Sequence, residues 1–203
     1  MLIVLLLLLT AGIVFLAVIL PRLPTKEKQV GASAFSGRTF YLLSVGRSDE
    51  YLIAATYAQD AVSRGGGGYI YNDGRYHAIA AAYARESEAK ALADINDGAY
   101  YLTIDIPQTD NETDAAVVKY VCGDFFTELS DAAAALDRGT ITEAAADYIV
   151  FEAVMRLNNL TDGNMSLDVD YERGGGGRNQ LSYIRYIIVK ALVGVYDGLR
   201  FSA

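Results

Sequence analysis

Apolar positions change their period several times along this chain. From Leu2 to Leu20 there is no charged side chain, and only Thr10 and Gly12 interrupt the run. At about 1.5 Å rise per residue such a segment spans roughly 28 Å, close to the hydrocarbon thickness of a bilayer. The pattern predicts a transmembrane anchor over 1–20. Ala32-Ser33-Ala34 has the small residues of a signal-peptidase site, but it lies behind Arg22, Lys26 and Lys28, far past the apolar run. An uncleaved anchor is therefore expected. Those basic residues follow the anchor and leave its sidedness open. Residues 21–38, polar and with Pro21 and Pro24, read as a tether.

From Thr39 the alternation becomes that of strands and short helices. Thr39 to Gly46 is a β-branched and aromatic run ended by glycine, which predicts a strand. Ser48 can cap a helix in which Leu52, Ala55, Ala58, Gln59 and Val62 recur at helical spacing. The glycines from Gly65 stop it. Gly68 to Tyr71 and Arg75 to Tyr83 form a hairpin across Asn72-Asp73-Gly74, whose residues tolerate positive φ. Glu86 to Ile95 is a second helix, apolar at Ala89, Ala91, Leu92 and Ile95, and Ala99 to Ile106 is a fourth strand. The order is β-α-β-β-α-β, a ferredoxin-like plan in which two helices cover one face of a four-stranded antiparallel sheet.

The remainder, 110–203, reads as about three helices. Val118, Val121, Phe125, Leu129, Ala133 and Leu136 form one stripe, ended by Gly139. Thr140 and Glu143 have capping-box spacing ahead of a helix through Ala145, Ile149, Ala153 and Leu157. A polar stretch from Thr161 to Gly177 has the look of a mobile loop. Leu181, Ile184, Ile187, Ile188, Ala191, Val195 and Leu199 mark the last helix. The expected class is α+β: an anchor (1–20), a tether (21–38), the sheet domain (39–107) and a helical accessory domain (110–203).

Charge and chemistry narrow the function. The net charge is −8 with no basic stripe, which argues against nucleic acid as partner. A lone Cys122 and a lone His77 provide neither a disulfide nor a zinc set. Ser44 and Ser48 have no recognisable base nearby, so no catalytic constellation is expected and no cofactor is implied. Asp168, Asp170 and Glu172 lack the spacing of a calcium loop, and the glycine runs lack the Lys-Ser/Thr of a phosphate-binding loop. The sequons at Asn111, Asn159 and Asn164 matter only in a eukaryotic secretory pathway, whereas the chain reads as bacterial.

The two halves of the sheet domain are alike: "YLLSVGRSDEYLIAATYA" and "YHAIAAAYARESEAKALA" each run strand, bend, polar cap and Ala-rich helix. With Ser44-Val45-Gly46 closing the first strand, the segment from about 39 to 107 resembles the SPOR (sporulation-related repeat) domain family. The second half departs from it, having Ala81-Ala82-Tyr83 where the family often bends through Gly-Pro-Phe. The resemblance implies a single-pass cell-membrane protein whose soluble part is extracytoplasmic. It also implies non-catalytic binding of peptidoglycan glycan strands at division or sporulation sites. By motif, the implied glycan face holds Ser44, Arg47, Arg75, His77 and Ile79, with Tyr76, Tyr41 or Tyr71 available to stack, although the chain has no Trp. Arg75, His77 and Ile79 are two apart along one strand, as a common face requires. The alternative is an envelope protein-interaction or oligomerisation module that binds no glycan. A free sheet face favours the first; an exposed apolar patch on the helical bundle favours the second.

Overall fold

The computed structural model describes residues 35–109, 112–161, 165 and 167–201. In chain order the first half comprises β1 (Arg38–Ser48), α1 (Tyr51–Ser63), β2 (Tyr69–Asn72), β3 (Tyr76–Tyr83), α2 (Glu86–Ile95) and β4 (Tyr100–Ile106). The strands form one sheet in the order β2-β3-β1-β4, antiparallel throughout. Alternation along β1 divides its side chains between two cores. Leu43 joins Ala61 and Ala80 in a small cluster edged by Leu92 and Ala93, on the side of α1 and α2. Phe40 and Leu42 join Ile79, Ile104 and Ile106 in a larger core shared with the helices of the second half.

The helices on the first face use alanine rather than their larger residues. α1 buries Ala54, Ala58 and Ala61 and leaves Leu52, expected in its packed stripe, 77% exposed. α2 buries Ala89 and leaves Ile95 equally exposed. Small faces let helix and sheet approach closely. A Cβ at Gly46 would stand 2.5 Å from the ring of Tyr57. Ser48 remains in the strand, where its hydroxyl accepts the Glu50 amide at 3.0 Å.

The second half comprises α3 (Glu112–Tyr120), a π-turn (Val121–Phe125), α4 (Phe126–Asp137), α5 (Glu143–Thr161), a 3-10 turn (Arg173–Gly177) and α6 (Gln180–Phe201). The expected stripe of the first of these is buried at Val118, Val121, Phe125, Leu129 and Ala133. Within the π-turn the Cys122 carbonyl accepts the Arg38 guanidinium, and burial pushes the Cys122 thiol up to about 12. The cap of α5 is Thr142, whose hydroxyl accepts the Ala145 amide at 3.2 Å. Thr140 instead donates to the Ala135 carbonyl at 2.9 Å and closes α4. α5 buries Ala153 and Leu157 of the expected stripe together with Ala146, Val150 and Val154, while Ala145 is exposed and Ile149 half-buried.

α6 decides the architecture. Beyond the expected stripe it buries Tyr183, Val189, Leu192 and Val193, and it lies between the sheet and α4 and α5. It crosses β2, β3 and β4 on the face away from α1 and α2. The face that a two-helix plan leaves free is therefore covered. Polar bonds fix the contact: Ser182 donates to the Val62 carbonyl at 2.9 Å and Arg185 to the Gly65 carbonyl at 2.8 Å. Nor is the stretch before α6 free of the core. Leu167 and Val169 are buried, and the Tyr171 hydroxyl donates to Asp147 at 2.8 Å.

The expectation of a membrane-spanning architecture is corrected here. Among the described residues no helix is long and apolar enough to cross a membrane. α6 has the length, at 22 residues, but carries Arg185, Lys190, Asp197 and Arg200. The established fold is an α+β one, a four-stranded antiparallel sheet with helices on both faces. The anchor assigned to 1–20 and nearly all of the tether lie outside the described residues.

Candidate functional site

The six residues singled out from the sequence are divided by the sheet. β1 bulges around Ser44, which pairs with Ile79, while Arg47 pairs with His77. Ser44, His77 and Ile79 are all buried on the side that α6 covers, with His77 only 4% exposed. Arg75 lies in the hairpin turn and forms a solvent-exposed ion pair with Asp49 at 3.0 Å. The Tyr76 ring meets Tyr51 of α1 edge-on at 5.6 Å, so it belongs to the other side. Of the remaining aromatic candidates, Tyr71 is buried beside His77, and Tyr41 packs edge-on against Tyr101.

His77 organises a polar cluster at this corner. Its Nε2 lies 2.8 Å from Asp73 Oδ1 and its Nδ1 2.6 Å from the Tyr100 hydroxyl. An ionised carboxylate only accepts, so with a neutral ring Nε2 carries the proton and Tyr100 donates to Nδ1. Burial alone would raise the Asp73 carboxyl, yet the hydrogen bonds from His77 and the Arg75 amide hold it below its usual value. Burial raises the Tyr100 hydroxyl, and the charge of Arg47 opposes the rise. The Arg47 guanidinium sits 5.7 Å from the Tyr100 ring centre.

These contacts tie the β2–β3 hairpin to the start of β4. The Ser44 hydroxyl donates to the Gly46 carbonyl at 3.0 Å, within its own bulge. The cluster thus holds the backbone in place, and its buried members present no binding face to solvent. Asp73 and Tyr100 escaped the sequence reading. The available signals were the position of Asp73 four residues before His77 and of Tyr100 at a strand start, opposite Ser44. Elsewhere, Asp168 pairs with Lys190 at 3.2 Å. Among the described residues no group of three His, Cys, Asp or Glu side chains could hold a metal ion.

Two helix surfaces carry large apolar groups in solvent. On α1 these are Tyr51, Leu52, Ile53 and Tyr57. On α5, Tyr148 is 63% exposed, with Met155 and Phe151 following at helical spacing. The surroundings of both are acidic. Glu143 is exposed at the start of α5, and Glu152 hydrogen-bonds the Tyr148 hydroxyl and raises its pKa. Arg156, the one basic residue on α5, is taken up by Glu128. At the start of α1, Glu50 and Asp49 are exposed.

The fold and these surfaces define an α+β protein with a helix-covered sheet and an acidic, partly apolar exterior. No family model, curated protein or solved structure matches the chain.

Proposed function

We propose that this chain is a non-catalytic protein-interaction module whose partner docks on the exposed stripe of α5. The observation that carries the reading is the row Tyr148, Phe151 and Met155, left in solvent on a helix whose opposite face is fully packed. Aromatic residues and methionine are the types enriched at interface centres. The flanking carboxylates select the partner: an apolar ridge bordered by Lys or Arg, not a second copy of this acidic chain. A glycan groove on the sheet has less to support it, because Ser44, His77 and Ile79 lie beneath α6 and only Arg47 and Arg75 of that set remain in solvent.

The test places a photo-crosslinking residue at Met155 of the full chain in its native cell and identifies the adduct by mass spectrometry. The partner so found, once purified, should lose about tenfold or more in affinity for the Tyr148→Glu/Met155→Glu variant. Unchanged affinity would overturn the docking surface. In parallel, the full chain should not pellet with peptidoglycan sacculi. Pelleting that Arg47→Ala/Arg75→Ala abolishes would return the function to glycan binding.

A further inference from the structure

A second feature belongs neither to the His77 cluster nor to the apolar stripes. Where the end of β3 meets α2, α4 and α6 the surface opens into a cleft of about 610 Å³. That is within the range of small-molecule sites, which favour junctions of this kind. The cleft exists because its floor is built from Ala81, Ala82, Ala133 and Ala134, none of which can fill it.

Its walls are charged in an unusual balance. Arg38 and Arg185 both line it, and each is held by a backbone carbonyl, Arg38 by Cys122 and Arg185 by Gly65. Arg38 is further steadied over the Phe40 ring, 5.0 Å from its centre. Neither guanidinium has a carboxylate partner among the described residues, so most of each five-donor fork is uncommitted. Facing them, α4 presents Thr127, Ser130, Asp131 and Asp137, a polar stripe that lines the cleft. Asp131 and Asp137 have no ion-pair partner among the described residues either. Arg85, at the rim, is already satisfied by Glu88.

Two uncommitted cations and two uncommitted carboxylates leave no net charge. A polyanion such as a nucleotide would meet Asp131 and Asp137, and an apolar ligand would desolvate all four groups without pairing any. We infer that the cleft binds a small zwitterion, an amino acid or short peptide. Its carboxylate engages Arg38 and Arg185, its ammonium group the α4 carboxylates, and its small apolar body the alanine floor. Preformed guanidinium forks suit a carboxylate because bidentate bonds form without further ordering.

The probes are the dipeptide Ala-Ala, its N-acetylated form and its C-terminal amide, titrated into the full chain by calorimetry and by NMR of backbone amides. Ala-Ala should shift the amides of Ala81 to Arg85 and of α4, while either blocked form should bind about tenfold more weakly or worse. Asp131→Asn, an exposed change with no structural partner to lose, should remove the preference for the free amine. Arg185→Gln should remove the preference for the free carboxylate. No cleft shifts with any of the three probes, or equal binding of free and blocked forms, would overturn the inference. The α5 variant Tyr148→Glu/Met155→Glu should bind Ala-Ala as the parent does, which separates this site from the docking surface.

Discussion

The pentapeptide Arg-Gly-Gly-Gly-Gly occurs twice, at 64–68 and at 173–177, and the two copies use the same residues differently. In the first, Gly66 and Gly67 have φ values open to any residue, but there is no room beside them. A Cβ at Gly67 would stand 2.8 Å from the Tyr186 amide nitrogen and 3.0 Å from the Arg185 carbonyl carbon. In the second, all four glycines have positive φ, from 58° to 84°, yet a Cβ at Gly174 or Gly177 would meet nothing within 4 Å. Gly65 and Gly68 of the first copy are left-handed as well, but at Gly66 and Gly67 it needs the absence of a side chain, and at Gly67 the α6 backbone rests there. The second needs a left-handed backbone, and most of it faces solvent. What a glycine run does is set by what is packed against it, and at Gly67 of the first run that is helix backbone.

The most severe way to break this comparison is Gly67→Ala. The atoms it meets are helix backbone, which cannot rotate away as a side chain can, so α6 must lift from the hairpin. A cost near the top of the overpacking range, about 3 kcal/mol, is expected in urea unfolding of the full chain. Gly67→Asn should be no better, because the fault is space and not backbone angle. If either variant proved as stable as the parent, the close seat of α6 on the first run would be disproved.

The same distinction explains how much of this molecule was legible in its sequence. The strand and helix order from Arg38 to Ile106 was readable because turn residues punctuate it and the runs between them have strand or helix length. The helix faces were less so. α1 offers Leu52, Ile53, Tyr57 and Val62 as well as its alanines, and the side that packs is the alanine side, because closeness to the sheet mattered more than side-chain size. α5 has apolar residues nearly all the way round, so periodicity could not say that Ala146 and Val150 were buried and Tyr148 was not. The covering of the sheet by α6 joins residues more than a hundred positions apart, as Ser182 and Val62 are. No local spacing announces such a contact. The site residues fared accordingly: His77 was singled out, but its partners Asp73 and Tyr100 and its burial follow from tertiary packing.

A milder test lies in the second run. Gly174→Ala should cost about 1–2 kcal/mol, the penalty of a left-handed conformation for a residue with a Cβ. Gly174→Asn should recover part of that loss, since asparagine visits this region more readily. The contrast with position 67, where asparagine brings no relief, is the sharpest form of the comparison, and denaturant midpoints of the four variants measure it. Identical behaviour at the two positions would mean that both runs are simple turns.

The smallest expected effect tests the polar bonds beside the first run. The Val62 carbonyl, at the end of α1, accepts the Ser182 hydroxyl at 2.9 Å, the Asn179 side chain at 3.3 Å and the Gly65 amide at 3.0 Å. Ser182→Ala removes one donor of three, so the carbonyl stays satisfied and the loss should be about 0.5–1.5 kcal/mol, nearer the lower end. Asn179→Ala should cost more, because the Asn179 carboxamide oxygen also accepts the Ser182 amide at 2.8 Å and caps α6. Hydrogen exchange supplies the local readout. In Ser182→Ala the last turn of α1 and the first of α6 should exchange faster together, while β4 keeps its protection. Were α6 to loosen alone, the seat would rest on apolar packing, and the bonds to Val62 would be incidental to it.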